Sequence, residues 1–202
     1  MNKIFKNPRY LTFLGLMLGL TVILDSTPLG AIPLGPVSAT ITHIPTIITG
    51  IILGPVAGII SGTFLGLVSL IHAATRPASL LDPLFINPLV SVLPRMFIGF
   101  VSYYVFAFFS RIIRERHVKQ TVSTFIGGMA GSLTNTGLVF LMLYLVYAQE
   151  VAQRMGVAFK VILISVFTTN AIAEAIVSGI LTLVISTAYF RYIAGRNGSA
   201  KL

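Results

Sequence analysis

"IITGIILGPVAGIISGTFLGLVSL", residues 47–70, carries no charged side chain from end to end, and at its centre stands the pair Gly54-Pro55. It reads either as one long apolar helix or as two. A proline inside a helix removes a backbone donor and clashes with the turn before it, so the stretch divides at Gly54-Pro55. Gly50, Gly54, Gly58, Gly62 and Gly66 recur every fourth residue. From Gly58 onward they lie on one helix face and form a flat ridge that admits a second backbone. Packing inside the chain is the use this favours over a partner surface.

The solvent of such a helix is settled by the rest of the chain. Of 202 residues, 55% are apolar and only 9% charged, with a mean hydropathy of +0.94, far from the roughly 25% charged of a soluble domain. Apolar segments recur at about 10–25, 41–53, 56–74, 88–112, 120–148 and 160–192. These predict an all-α polytopic membrane protein of six transmembrane helices, with residues 1–202 forming a single membrane domain. The first segment follows Lys3, Lys6 and Arg9 like a signal peptide, but no small-residue cleavage site follows it, so it reads as a retained helix. Residues 25–40 hold Pro28, Pro33 and Pro36 and read as a long apolar loop, placed to act as a lid.

Lys3, Lys6, Arg9, Arg111, Arg114, Arg116, Lys119, Arg191, Arg196 and Lys201 fall on one side of this topology, against Arg76, Arg154 and Lys160 on the other. By the positive-inside rule both termini are expected to be cytoplasmic and the proline-rich loop extracellular. The net charge of +9 is then explained by anchoring to the lipid bilayer, and no nucleic acid is needed. There is no cysteine, no phosphate-binding glycine loop, no H-E-x-x-H and no G-x-S-x-G, so the sequence points to no enzyme, no cofactor and no metal.

What it does contain is a sparse set of polar groups at membrane depth. Arg95 sits in "NPLVSVLPRMFIGF" (87–100), with Asn87 at the start of that helix. Asn135 continues the face of Gly127 and Gly131 in "GGMAGSLTNTGLVF" (127–140), and Asn170, Glu174 and Ser178 share a face of the last helix. His43 and Thr46 lie in "ATITHIPTIITG" (39–50), directly after the loop. Ionisable side chains inside a membrane face a bundle interior or a cavity and point to a functional site. The competing reading is that Arg95 and Glu174 pair with each other and only specify packing. Gly15 and Gly19 of "LGLMLGL" (14–20) have no evident work inside the chain and suit a face for another protein.

The order of these features resembles a known family. A short six-helix chain with a capping loop after the first helix, "GPVSATITHIP" (35–45), "LGPVAGIISGTFLGLVSL" (53–70) and a small-x-x-x-small pair in the first helix is similar to the substrate-binding S component of energy-coupling factor (ECF) vitamin transporters. "SATITHIP", "LPRMFIG" and "TNT" look most similar to pantothenate-binding members. The resemblance implies a subunit of the bacterial cell membrane that binds a vitamin and delivers it by reorienting against a transmembrane coupling subunit of the EcfT type, driven by two cytoplasmic ATPase subunits. In the family an A-x-x-x-A motif meets the coupling subunit; Gly15 and Gly19 occupy those places.

Pantothenate offers a carboxylate, an amide, two hydroxyls and a gem-dimethyl group. Arg95 suits the carboxylate and Asn135 the amide or a hydroxyl, with His43, Asn87, Asn170, Glu174 and Thr46 as further contacts. A site for another vitamin such as riboflavin or folate, and a structural membrane subunit that transports nothing, are the alternatives.

Overall fold

Gly54 has φ of +100°, a backbone conformation that side chains rarely tolerate, and the chain doubles back on itself there. The computed structural model describes residues 8–27, 30–34, 37–77, 82–155 and 170–199. Its elements are α1 (Pro8–Ser26), the strands β1 (Ala31–Leu34) and β2 (Val37–Thr40), α2 (Ile44–Leu53), α3 (Pro55–Thr75), a 3-10 turn (Asp82–Ile86), α4 (Pro88–Ile112), α5 (Arg116–Met155) and α6 (Ile172–Ser199). In α4 the opening turn, Pro88–Ser91, is set off from Leu93–Ile112 at Val92.

Five of the six helices, all but α2, are long and apolar enough to cross a membrane. At ten residues, α2 is about 15 Å long, half the hydrocarbon thickness. It folds against α3 about Gly54: Thr46 Oγ1 lies 3.2 Å from Ser61 Oγ, and Gly50 and Gly58 both press on Gly99. The other helix expectations agree within a few residues, except that α5 runs on to Met155 past a non-helical Tyr147 and α6 runs on past 192 to Ser199; residues 160–169 lie outside the described residues.

The segment expected to be an unstructured loop is in part regular. Asp25 belongs to the end of α1, and β1 and β2 form an antiparallel hairpin with Ala31 opposite Thr40 and Leu34 opposite Val37. Both strands of a two-stranded ribbon are edges, which is where a strand accommodates a proline such as Pro33.

The glycine ridge packs inside the chain. Built-on Cβ atoms would strike the α4 backbone at Gly99 from Gly58, at Arg95 and Met96 from Gly62, and at Val92 and Ser91 from Gly66. Helices α3 and α4 therefore run antiparallel with their backbones in contact. Gly127 and Gly131 bring α5 against Ile47, Ile51 and Ser102 in the same way, and Gly128 meets Gly179 across the α5–α6 crossing. Ile47, Ile51, Leu65 and Ile98 fill the centre between these seams.

Candidate functional site

The polar residues singled out in the sequence gather at the hairpin end of the bundle, in two groups. In the first, β2 ends on α6. Glu174, largely buried, accepts hydrogen bonds at Oε1 from the backbone N–H and the hydroxyl of Thr40, at 2.8 and 2.9 Å. Thr136 of α5 donates to its other oxygen at 3.5 Å. One turn further along α6, Ser178 Oγ lies 3.0 Å from His43 Nε2. The spacing of four between Glu174 and Ser178 puts both on the face that meets the residues following α1.

Among the described residues His43 Nδ1 and Asn135 Oδ1 are buried without a protein partner, as are the hydroxyls of Ser132 and Thr182, one turn from Thr136 and Ser178, and those of Ser110, Ser123, Thr124 and Ser186. An unmade hydrogen bond on a buried polar atom costs about 1–3 kcal/mol, so a polar ligand or water that reached His43 Nδ1 or Asn135 Oδ1 would recover that cost. Asn170 stands half-buried in a wider π turn just before α6.

The second group surrounds Arg95. The glycine ridge sets it there, because Gly62 holds the Arg95 backbone against α3. The guanidinium Nη1 donates to the carbonyls of Ser91 at 2.7 Å and Val90 at 3.3 Å, satisfying acceptors at the break in α4. The same group lies 5.3 Å from the ring centre of Phe85. Beside it is a cavity of about 200 Å³ whose wall includes Arg95, Phe85, Ser69, Asp25, His72 and Asp82. That is small against the roughly 300–1,000 Å³ of common ligand pockets. Asp25 Oδ2 and His72 Nδ1 are 3.0 Å apart, tying the end of α1 to the end of α3.

Arg95 and Glu174 thus have different partners, and the direct pair weighed from sequence is not the arrangement found. Asn87 caps the first turn of α4, its Oδ1 accepting from the Leu89 N–H at 3.0 Å while Nδ2 donates to the Tyr147 hydroxyl at 3.1 Å. Thr46 is fully buried and faces Ser61. Gly15 and Gly19 look outward, with nothing within 4 Å of a Cβ added at either. Sequence reasoning missed Asp25, His72, Asp82 and Phe85 around Arg95, and Thr40 and Thr136 around Glu174. The signal within reach was that Asp25 and Asp82 are two of only five acidic residues and both sit at helix ends that the topology places on one side.

A family model described as ECF transporter, substrate-specific component, matches residues 9–186. The pantothenic acid transporter PanT of Lactococcus lactis subsp. cremoris is 29% identical over 164 residues, 74% of this chain and 76% of that protein. The pantothenate transporter PanT of Leuconostoc mesenteroides is 32% identical over 119 residues, 56% of this chain and 57% of its own length.

Proposed function

The chain belongs to the substrate-specific components of ECF transporters, multi-pass proteins of the bacterial membrane, and on that premise we propose that it binds pantothenate for import. Two relatives named as transporters of that vitamin support the choice of ligand. The observation that carries it in this chain is Arg95: a permanent cation, held at membrane depth by a glycine ridge, on the wall of a cavity. A guanidinium matches a carboxylate by two parallel charge-assisted hydrogen bonds, and the cost of burying each charge falls when they meet.

In this reading Arg95 takes the pantothenate carboxylate. The free acceptor of Asn135 and the free ring nitrogen of His43 take its amide and hydroxyl groups, with Asn170 at the margin. Glu174 acts chiefly on the protein, mooring the hairpin over the site as a lid. Asn87 and Thr46 each make hydrogen bonds inside the chain and serve chiefly as scaffold.

The basic residues put both termini in the cytoplasm and the hairpin outside. The outward Gly15–Gly19 face of α1 docks the transmembrane coupling subunit, which two cytoplasmic ATPases drive. The chain's own role is binding and delivery, with no chemistry performed on the vitamin.

Calorimetry on the purified chain with a panel of water-soluble vitamins tests this. Saturable heat with pantothenate and none with riboflavin or folate is the expected result. Binding of another vitamin in its place, or of none, overturns it.

A further inference from the structure

Arg95 shares its cavity with two carboxylates, Asp25 and Asp82, and with His72. A site meant for an anion gains nothing from lining its wall with anions, since like charges at close range disfavour the ligand. Asp25 lines the same cavity as Arg95, while its Oδ2 is engaged by His72 Nδ1 at 3.0 Å. The Asp25 side chain is only 14% exposed and that of His72 31%, so the pair belongs to the wall and not to the open surface.

We propose that Asp25 is a built-in competitor for the substrate carboxylate at Arg95, and that His72 limits how strongly it competes. This rests on the reading of Arg95 as the carboxylate clamp. With no ligand bound, Arg95 has a nearby counter-charge, so the protein does not carry an isolated cation in the membrane. When a carboxylate arrives, Arg95 turns to it and Asp25 keeps the bond to His72. The arrangement lowers affinity for any anion by the strength of the Asp25–Arg95 attraction. A ligand then binds tightly only if its amide and hydroxyl groups add contacts elsewhere, so a bare short-chain carboxylate is rejected. It also makes release easier, because Asp25 leaves Arg95 with a counter-charge in the same cavity once the carboxylate departs.

The test compares pantothenate with its neutral alcohol analogue on the full-length protein in nanodiscs, by calorimetry. In Asp25→Asn, pantothenate should bind on the order of tenfold tighter, about 1.4 kcal/mol, while the alcohol analogue changes less than about twofold. In His72→Phe, which frees Asp25 to turn to Arg95, pantothenate should weaken, and adding Asp25→Asn should reverse the loss. A merely structural role for the pair would shift both ligands together. Arg95→Met, measured alongside, separates the two ways of failing. If it keeps the preference for the acid over the alcohol, the clamp reading itself is wrong and this proposal falls with it. If it abolishes that preference while Asp25→Asn leaves pantothenate unchanged or weaker, the clamp stands and only the competitor is refuted.

Discussion

Glu174 holds Thr40 by two hydrogen bonds on a single carboxylate oxygen, at 2.8 and 2.9 Å, across 134 residues of sequence. A hairpin of two four-residue strands has little stability of its own, so this attachment to α6 sets where the hairpin rests. Glu174→Ala should release it, removing bonds to a charged group worth roughly 1.5–3 kcal/mol. The Thr40 amide should then exchange its hydrogen at least tenfold faster. The neighbouring Ile41 amide, bonded to Gly30 O at 2.8 Å, reports whether the rest of the segment stays intact. Unchanged Thr40 exchange would mean that the mooring does not hold in a bilayer.

Glycine residues that look alike in sequence should behave oppositely. A Cβ at Gly99 would come within 2.6 Å of Gly58 Cα and 2.9 Å of Thr46 O, all backbone, so neither neighbour can turn aside. Gly99→Ala should cost about 1–3 kcal/mol, as overpacking does, seen as a lower melting temperature of the detergent-solubilised protein. At Gly15 and Gly19 an added side chain meets open space. Gly15→Leu and Gly19→Leu should leave melting temperature and pantothenate binding of the isolated chain unchanged and should block uptake by the assembled transporter. Loss of binding in the isolated variants would remove the docking role.

How much of this was legible beforehand divides along one physical line. The α2–α3 break, the ridge from Gly58 to Gly66 and the shared face of Gly127, Gly131 and Asn135 are local: spacing along one helix dictates them, and the sequence shows spacing. The partner of Glu174 is not local. Nothing near Glu174 indicates that its acceptor is claimed by Thr40, and a pair with Arg95 stood only as the competitor to the site reading. The Asp25–His72 contact, 47 residues apart, was hidden for the same reason. Asn87 differs, since an asparagine before a proline reads equally as a ligand contact and as a helix cap, and spacing alone does not reveal that its Oδ1 caps α4. The hairpin escaped notice because three prolines argue against a strand, an argument that holds for the middle of a sheet and not for a ribbon made only of edges.

Gly54 should tolerate no other residue cheaply. With φ at +100° and nothing within 4 Å of an added Cβ, the obstacle at this position is backbone conformation and not space. Gly54→Ala should therefore cost about 1–3 kcal/mol of strain, read as a lower melting temperature. A bulkier Gly54→Val should do further harm through the conformational preference of a β-branched residue and not through a clash. Equal stability of Gly54→Ala and wild type would show that the turn relaxes to an ordinary conformation.

Arg95 decides between a substrate role and a packing role. Arg95→Met keeps the length of the side chain and removes its charge. It gives up the bonds to the Ser91 and Val90 carbonyls and the contact with Phe85, so melting temperature should fall by an amount equivalent to about 1–2 kcal/mol, with the bundle still folded. Pantothenate affinity should fall further, by about 2–5 kcal/mol, the range for truncating one partner of a buried charge pair. Arg95→Lys should recover only part, because an ammonium cannot make the two-pronged bond to a carboxylate. Glu174 supplies the control. Since Glu174 is bonded to Thr40 and Thr136 and Arg95 to α4 carbonyls, the stability losses of Arg95→Met and Glu174→Gln should add in the double variant to within about 0.5 kcal/mol. Mutual rescue in the double variant, with affinity intact in Arg95→Met alone, would restore the packing pair and end the clamp.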